Sequence, residues 1–285
     1  MKIKKIFTVV LMLLLSIPCV KSSVNACNCQ TLTAEIFDMC QKYDVGFCYK
    51  NPSTGDILSY NPKKEYDPAS TNKTCLAICV FDMLKNGKIN LSDTVEYKSY
   101  HKYGGTGIIQ YETFGKKYTI EQLLYLLITH SDNVAYRMLM MEVVTEPYLK
   151  EVLAPFGIII KTERLCFQDF SPEDLVLHLE VLYRYMSDGT ALAEMIKSFY
   201  SSGIYNDKIP AGVPNLTVFH KPGWIPSKLI CADEAIIFDK NSQPYFLAIM
   251  SQGIPQEKQA EFFQALTAKI NEYHNCLSQK HEGSN

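Results

Sequence analysis

Residues 70–85 read Ser-Thr-Asn-Lys-Thr-Cys-Leu-Ala-Ile-Cys-Val-Phe-Asp-Met-Leu-Lys. From Cys75 to Leu84 nearly every position is apolar, so a helix built here leaves no face for water. A helix apolar all round is a buried central helix, and Gly87 supplies its stop. The polar exceptions gather at the start. Ser70 and Lys73 are spaced i, i+3, which places a hydroxyl and an amine on one helix face. A serine hydroxyl needs a neighbouring base to act as a nucleophile, and a lysine can be that base when burial and nearby positive charge strip its proton. The helix N-terminus adds free backbone N–H groups able to hold an oxyanion. Taken alone the pair is a weak signal. A plain N-cap serine explains Ser70 better, and Ser99-Tyr100-His101-Lys102 repeats the spacing in what reads as an exposed polar loop.

The flanking segments set the architecture. Residues 31–43 read as a helix, with Leu32, Ile36, Phe37 and Cys40 on one face. Val45–Tyr49 and Ile57–Tyr60 read as a hairpin around the turn Asn51-Pro52-Ser53-Thr54-Gly55. Downstream, residues 119–130, 133–143, 172–186 and 190–199 read as helices. Strands return at Thr217–His220, Cys231–Phe238 and Tyr245–Ser251, and a closing helix is expected from Gln256 to Tyr273. Strands thus lie at both ends of the chain and helices in the middle. The fold class is α+β: a five-stranded antiparallel sheet flanked by the terminal helices, with a central all-helical subdomain against it. The sheet part is expected from 27–66 and 205–285, the helical part from 67–204, and a site where the two meet.

Two further elements carry chemistry. Ser131-Asp132-Asn133 lies at the junction of two helices, where all three residue types also serve as caps. His220-Lys221-Pro222-Gly223-Trp224 ends a strand-like run. Lys221 offers a positive charge to a substrate carboxylate, and Gly223 allows close approach to the backbone. Lys102-Tyr103-Gly104 matches the same loose pattern, so this element too is weak alone. Order and context raise the weight of all three.

With Ser-x-x-Lys at 70, Ser-Asp-Asn at 131 and Lys-x-Gly at 221, the chain resembles the class A β-lactamases and their penicillin-binding relatives. Glu121-Gln122-Leu123-Leu124, Asn133-Val134-Ala135, Ser171-Pro172-Glu173-Asp174-Leu175 and Gly104–Gln110 are similar to segments of that family, so the likeness covers nearly the whole mature chain. The resemblance implies an acyl-serine hydrolase. Ser70 is acylated, Lys73 helps deprotonate it, and Ser131 passes a proton to the leaving nitrogen. Asn133 binds the substrate side-chain amide and Lys221 its carboxylate. The N–H groups of Ser70 and Trp224 form the oxyanion hole, beside Gly223. The implied substrate is a small-molecule β-lactam or a peptidoglycan-derived compound.

Two departures matter. The family carries a Glu in a Glu-x-x-Leu-Asn motif that activates the deacylating water. Between Gly157 and Phe170 this chain has only Glu163 and Asp169, and Glu163 is followed by Arg164-Leu165-Cys166-Phe167. A solvated loop charge is the better reading of Glu163. Pro222 stands where the family has Thr or Ser, which removes a hydroxyl and a backbone donor. Strand prolines belong at edges. Acylation machinery is therefore expected and fast deacylation is in doubt, which leaves a penicillin-binding, cell-wall peptidase-like or esterase-like hydrolase as the alternative, or a catalytically weak binding relative.

The remaining composition sets bounds. The chain has 285 residues, a net charge of −2 and a hydrophobic fraction of 47%, which fits a globular protein and gives no clustered basic face for nucleic acid. Lys2, Lys4 and Lys5 precede the apolar run Ile6–Ile17, and Val24-Asn25-Ala26 offers a cleavage site. Residues 1–26 read as a secretory signal peptide, with an anchor, or lipidation at Cys27, as the alternatives. The expected mature domain is 27–285, exported and monomeric, with no stable membrane insertion. Removing Cys19 leaves an odd number of the 10 cysteines. Cys27, Cys29, Cys40, Cys48 and Cys276 could be bridged near the chain ends, whereas Cys75 and Cys79 read as buried small hydrophobes. No zinc spacing is present, and neither metal nor cofactor is expected.

Overall fold

A computed structural model describes residues 28–161 and 168–282. The expected signal peptide, Cys27 and Glu163 lie outside the described residues. Helix α1 (Cys29–Cys40) starts at Asn28, whose Oδ1 accepts from the Gln30 N–H at 3.0 Å. It leads into β1 (Asp44–Lys50) and β2 (Ile57–Tyr60), and the chain closes with β5 (Thr217–Ile225), β6 (Ile230–Phe238), β7 (Pro244–Gln252) and α9 (Gln256–Glu282). These five strands form one antiparallel sheet in the order β2-β1-β7-β6-β5. Between them lie α2 (Lys73–Lys85), α3 (Ile120–Thr129), α4 (Asn133–Glu142), α5 (Glu146–Leu153), α6 (Pro172–Met186), α7 (Ala191–Ser201) and a single turn, α8 (Ile209–Gly212). The α+β architecture read from the sequence is the one observed.

Strand alternation divides the core in two. Val45, Phe47 and Tyr49 of β1, with Leu247 and Ile249 of β7, pack under α1 and α9 alongside Ile36, Phe263 and Leu266. Cys48, Phe246, Ala248 and Met250 face the other way, onto α2 and α6. Helix α2 is buried from Lys73 through Phe81, as its all-round apolar pattern requires. Helix α6 enters on a capping box: Asp174 N–H donates to Ser171 Oγ at 3.2 Å, and Ser171 N–H to Asp174 Oδ2 at 2.8 Å.

Several expectations are corrected. Strand β5 does not end at His220 but runs through Pro222 to Ile225. It is the edge of the sheet, where a missing N–H need not break a ladder bond. The two-stranded ribbon β3 (Thr94–Glu96) and β4 (Lys117–Thr119) was not expected, nor was α5. Cys29, Cys40, Cys48, Cys75, Cys79 and Cys231 are buried and free, and Cys40 and Cys48 fall in the two cores on opposite faces of the sheet. The stretch around Ser99 is not a fully exposed loop: His101 is buried, with Nε2 at 3.0 Å from Glu142 Oε1.

Candidate active site

Ser70 sits in a 3-10 turn, Ala69–Asn72, that runs straight into α2. The turn is entered through Ala69 at φ 49°, a left-handed conformation costly for a residue with a Cβ. Thr71 N–H and Oγ both donate to Pro68 O and pin the turn. Ser70 is half-buried, and Lys73 beneath it is buried. The Lys73 amine meets four oxygens: Ser70 Oγ at 3.1 Å, Ser131 Oγ at 3.0 Å, Ser131 O at 2.5 Å and Asn133 Oδ1 at 2.7 Å. Two of these, Ser131 O and Asn133 Oδ1, can only accept. A neutral amine spends its two N–H bonds on them and keeps a lone pair for a serine hydroxyl.

The Ser131–Asn133 corner is built as carefully. Ser131 is fully buried at φ 52°. Asp132 caps α4, its Oδ1 accepting from Val134 and Ala135 N–H, while Oδ2 accepts from Ile108 and Ile109 N–H. One carboxylate therefore ties the helix start to the 104–110 loop. A Cβ on Gly107, at φ 104°, would stand 2.2 Å from the Asp132 carboxyl carbon, so the loop fits only glycine there. Thr106 Oγ1 donates to Ser131 O at 2.6 Å, and Asn133 Nδ2 to Gly104 O at 2.8 Å. Both ends of the Asn133 amide are thus engaged within the protein.

Strand β5 closes the third side. A Cβ on Gly223 would come within 2.5 Å of Ser70 N and 2.7 Å of Pro68 O, so the strand backbone lies directly against the nucleophile's own backbone. Lys221 is buried, its Nζ donating to Pro222 O at 3.3 Å. Trp224 is half-buried. Its ring meets Tyr205 edge-on at 4.8 Å, with Lys208 Nζ 5.1 Å from its centroid. It lines a cavity of about 360 Å³ shared with Asn206, Lys208, Gln256 and Gln259.

The two amines shape each other. Burial and then the Lys221 charge hold Lys73 well below the usual lysine range, against an opposing pull from Asp132. Burial lowers Lys221 to about 7, with Asp233 and Glu234 pulling it back up and Lys208 reinforcing the fall. Four of the candidate residues, Ser70, Lys73, Ser131 and Asn133, meet at one nitrogen, and Gly223 abuts the nucleophile. Lys221 reaches that group through its charge, and the Trp224 side chain turns towards the cavity. The reading of the sequence missed Asp132 as the loop anchor, Thr106, and the buried Glu234 of β6. The adjacent acids Asp233-Glu234 inside the otherwise apolar run Cys231–Phe238 were the available signal.

This fold and this serine–lysine–serine cluster define a β-lactamase-like serine hydrolase. The chain belongs to the β-lactamase enzyme family, whose profile matches residues 30–274. No curated protein sequence matches it. Among solved structures it is similar to PBP-A, at a TM-score of 0.77 and 19% identity over 86% of this chain and 96% of that one. It is similar to a β-lactamase from Sphaerobacter thermophilus at 0.76 and 19%, over 87% and 97%, and to one from Xanthomonas campestris at 0.75 and 16%, over 86% and 98%.

Proposed function

We propose that the chain opens β-lactam amides by the class A route, through an acyl-Ser70 intermediate. The observation that supports this most is the Lys73 amine, buried, depressed in proton affinity and 3.1 Å from Ser70 Oγ. Neutral Lys73 takes the hydroxyl proton as Ser70 Oγ attacks the lactam carbonyl. The N–H groups of Ser70 and Trp224 hold the oxyanion. Ser131 Oγ, 3.0 Å from the amine, hands a proton to the departing ring nitrogen and is reprotonated by Lys73, so the amine ends neutral. Lys221 attracts the substrate carboxylate. Asn133 contributes chiefly by holding Lys73, and reaches a substrate amide only if its bond to Gly104 opens. The reading includes export with residues 1–26 removed and a monomeric mature domain.

Slow deacylation is the second reading, and one observation favours it. Among the described residues, Asp132 is committed to four backbone N–H groups and Asp169 is exposed, so neither is placed as a base for water.

The test is intact-protein mass spectrometry with a chromogenic β-lactam, following colour and adduct together. Turnover without a lasting adduct supports the β-lactamase reading, and a lasting adduct with little colour supports the penicillin-binding one. Ser70→Ala is expected to abolish acylation at unchanged melting temperature. Continued covalent labelling of that variant would sink the assignment.

A further inference from the structure

Behind the nucleophile lies an acid that the mechanism above does not use. Glu234 stands directly opposite Lys221 in the β5–β6 ladder, and directly opposed residues of an antiparallel pair share one face of the sheet. Glu234 is 1% exposed, and neither of its carboxyl oxygens has an aligned hydrogen-bond partner. His178 of α6, fully buried, brings Nδ1 to 3.4 Å from Glu234 Oε2. Its other nitrogen, Nε2, lies 3.1 Å from Cys75 Sγ, on the helix that carries Lys73. A buried carboxyl is costly, and an apolar side chain of similar size would pack at this position without that cost. The acid therefore calls for a reason beyond packing.

The groups around it narrow the reason. Helix α6 presents His178, α2 presents Thr74 and Cys75, β5 presents Lys221, and β7 presents Ala248 across the ladder. The Tyr200 hydroxyl, from α7, is 3.4 Å from Thr74 Oγ1. Asp233, next on the same strand, points to the opposite face, where it pairs with His220 at 3.0 Å. Among the described residues that face Glu234, His178 and Lys221 are the ones that can bring it positive charge.

We propose that Glu234, oriented by His178, is a positioning residue of the hydrolase: its carboxylate keeps the cross-strand Lys221 ammonium charged, and that charge keeps Lys73 neutral and ready to accept the Ser70 proton. The proposal rests on the acyl-serine reading. Its electrostatic links run in the right direction. Burial lowers Lys221, and Asp233 and then Glu234 raise it again; burial and then the Lys221 charge lower Lys73, while burial pushes the Glu234 carboxyl up and His178 pulls it back.

The test is Glu234→Gln, which keeps the shape and removes the charge. Without the carboxylate, Lys221 loses its proton at lower pH. The alkaline limb of the acylation profile then moves down by about one pH unit, with about tenfold less acylation beyond it. Glu234→Asp, which keeps the charge, is expected to return the limb towards the parent. Acylation is read with a fluorescent penicillin and intact mass. In parallel, 13Cε-lysine NMR of the free protein follows Lys221, assigned with Lys221→Arg. A parent chain that takes no penicillin overturns the acyl-serine reading alone, because the NMR titration still decides the charge coupling. An unmoved Lys221 titration in folded Glu234→Gln overturns the proposal. If that variant does not fold, His178→Asn takes its place. It drives the acid to its protonated form, with Lys221 expected to move the same way, and no movement again overturns the proposal.

Discussion

Strands β1 and β5 belong to one sheet yet are made of opposite materials. Buried β1 carries Val45, Phe47, Cys48 and Tyr49, residues that suit a pleated surface covered on both sides. Edge strand β5 carries His220, Lys221, Pro222 and Gly223 in succession, three of them poor strand formers, and buries them all. The first strand is built to hold the fold and the second to hold the chemistry. The contrast teaches that the cost of the site is concentrated where the sheet already ends, and changes in the two strands should separate stability from activity.

The largest expected effect is in β1. Phe47 is fully buried in the core beneath α1 and α9. Phe47→Ala should cost about 3–5 kcal/mol of unfolding free energy in urea titrations, with the acylation rate of the folded fraction unchanged. A folded variant that loses acylation as well would break the separation.

Gly223→Ala is the converse. The new Cβ meets Ser70 N at 2.5 Å and Ala69 Cβ at 3.0 Å, contacts that only a shift of the nucleophile's backbone relieves. Displacing one oxyanion donor costs about 10²–10³-fold in rate, so single-turnover acylation should fall by about that factor while stability falls less than in Phe47→Ala. An unaltered rate would detach β5 from the oxyanion hole.

Lys221 sharpens the comparison through pH. Its folded value of about 7 lies below the ordinary lysine value of 10.5, so the unfolded chain binds more protons between those limits and stability rises with pH across them. The penalty is complete below about pH 7 and gone near the unfolded value. Lys221→Met should therefore raise the melting temperature at pH 6, with a gain that shrinks as pH climbs from about 7 towards 10, at the cost of acylation. A gain independent of pH would mean that the amine is not the strained element.

Much of this was legible in the sequence, for physical reasons. The all-round apolar run after Lys73 could only be a buried helix, and that placed Ser70 at its mouth. The β1–β2 hairpin was marked by its Asn51–Gly55 turn, and the start of α6 by the family-like segment Ser171–Leu175. The length of β5 was not legible, because Pro222 and Gly223 read as a turn unless the strand is known to be an edge. Nor was the role of Asp132, since a cap and a loop anchor look alike until the 104–110 loop is folded over it. His178 and Glu234 are far apart in sequence, and although the two acids stand out in the apolar run of β6, only the packing of α6 on β6 brings the pair to 3.4 Å.

The smallest effect is expected at Pro222. Edge position spares the ladder, so Pro222→Thr should cost far less stability than Phe47→Ala. What it restores is a hydroxyl beside Lys221, and a net hydrogen bond of about 1 kcal/mol corresponds to about fivefold in affinity. A carboxylate-bearing β-lactam should therefore acylate Pro222→Thr at about fivefold lower concentration, whereas its methyl ester should show no such gain. Equal gains for acid and ester would place the effect in the backbone of β5 rather than in carboxylate recognition. The edge strand would then matter to the site through its shape, as Gly223 does, and not through the side chain at 222.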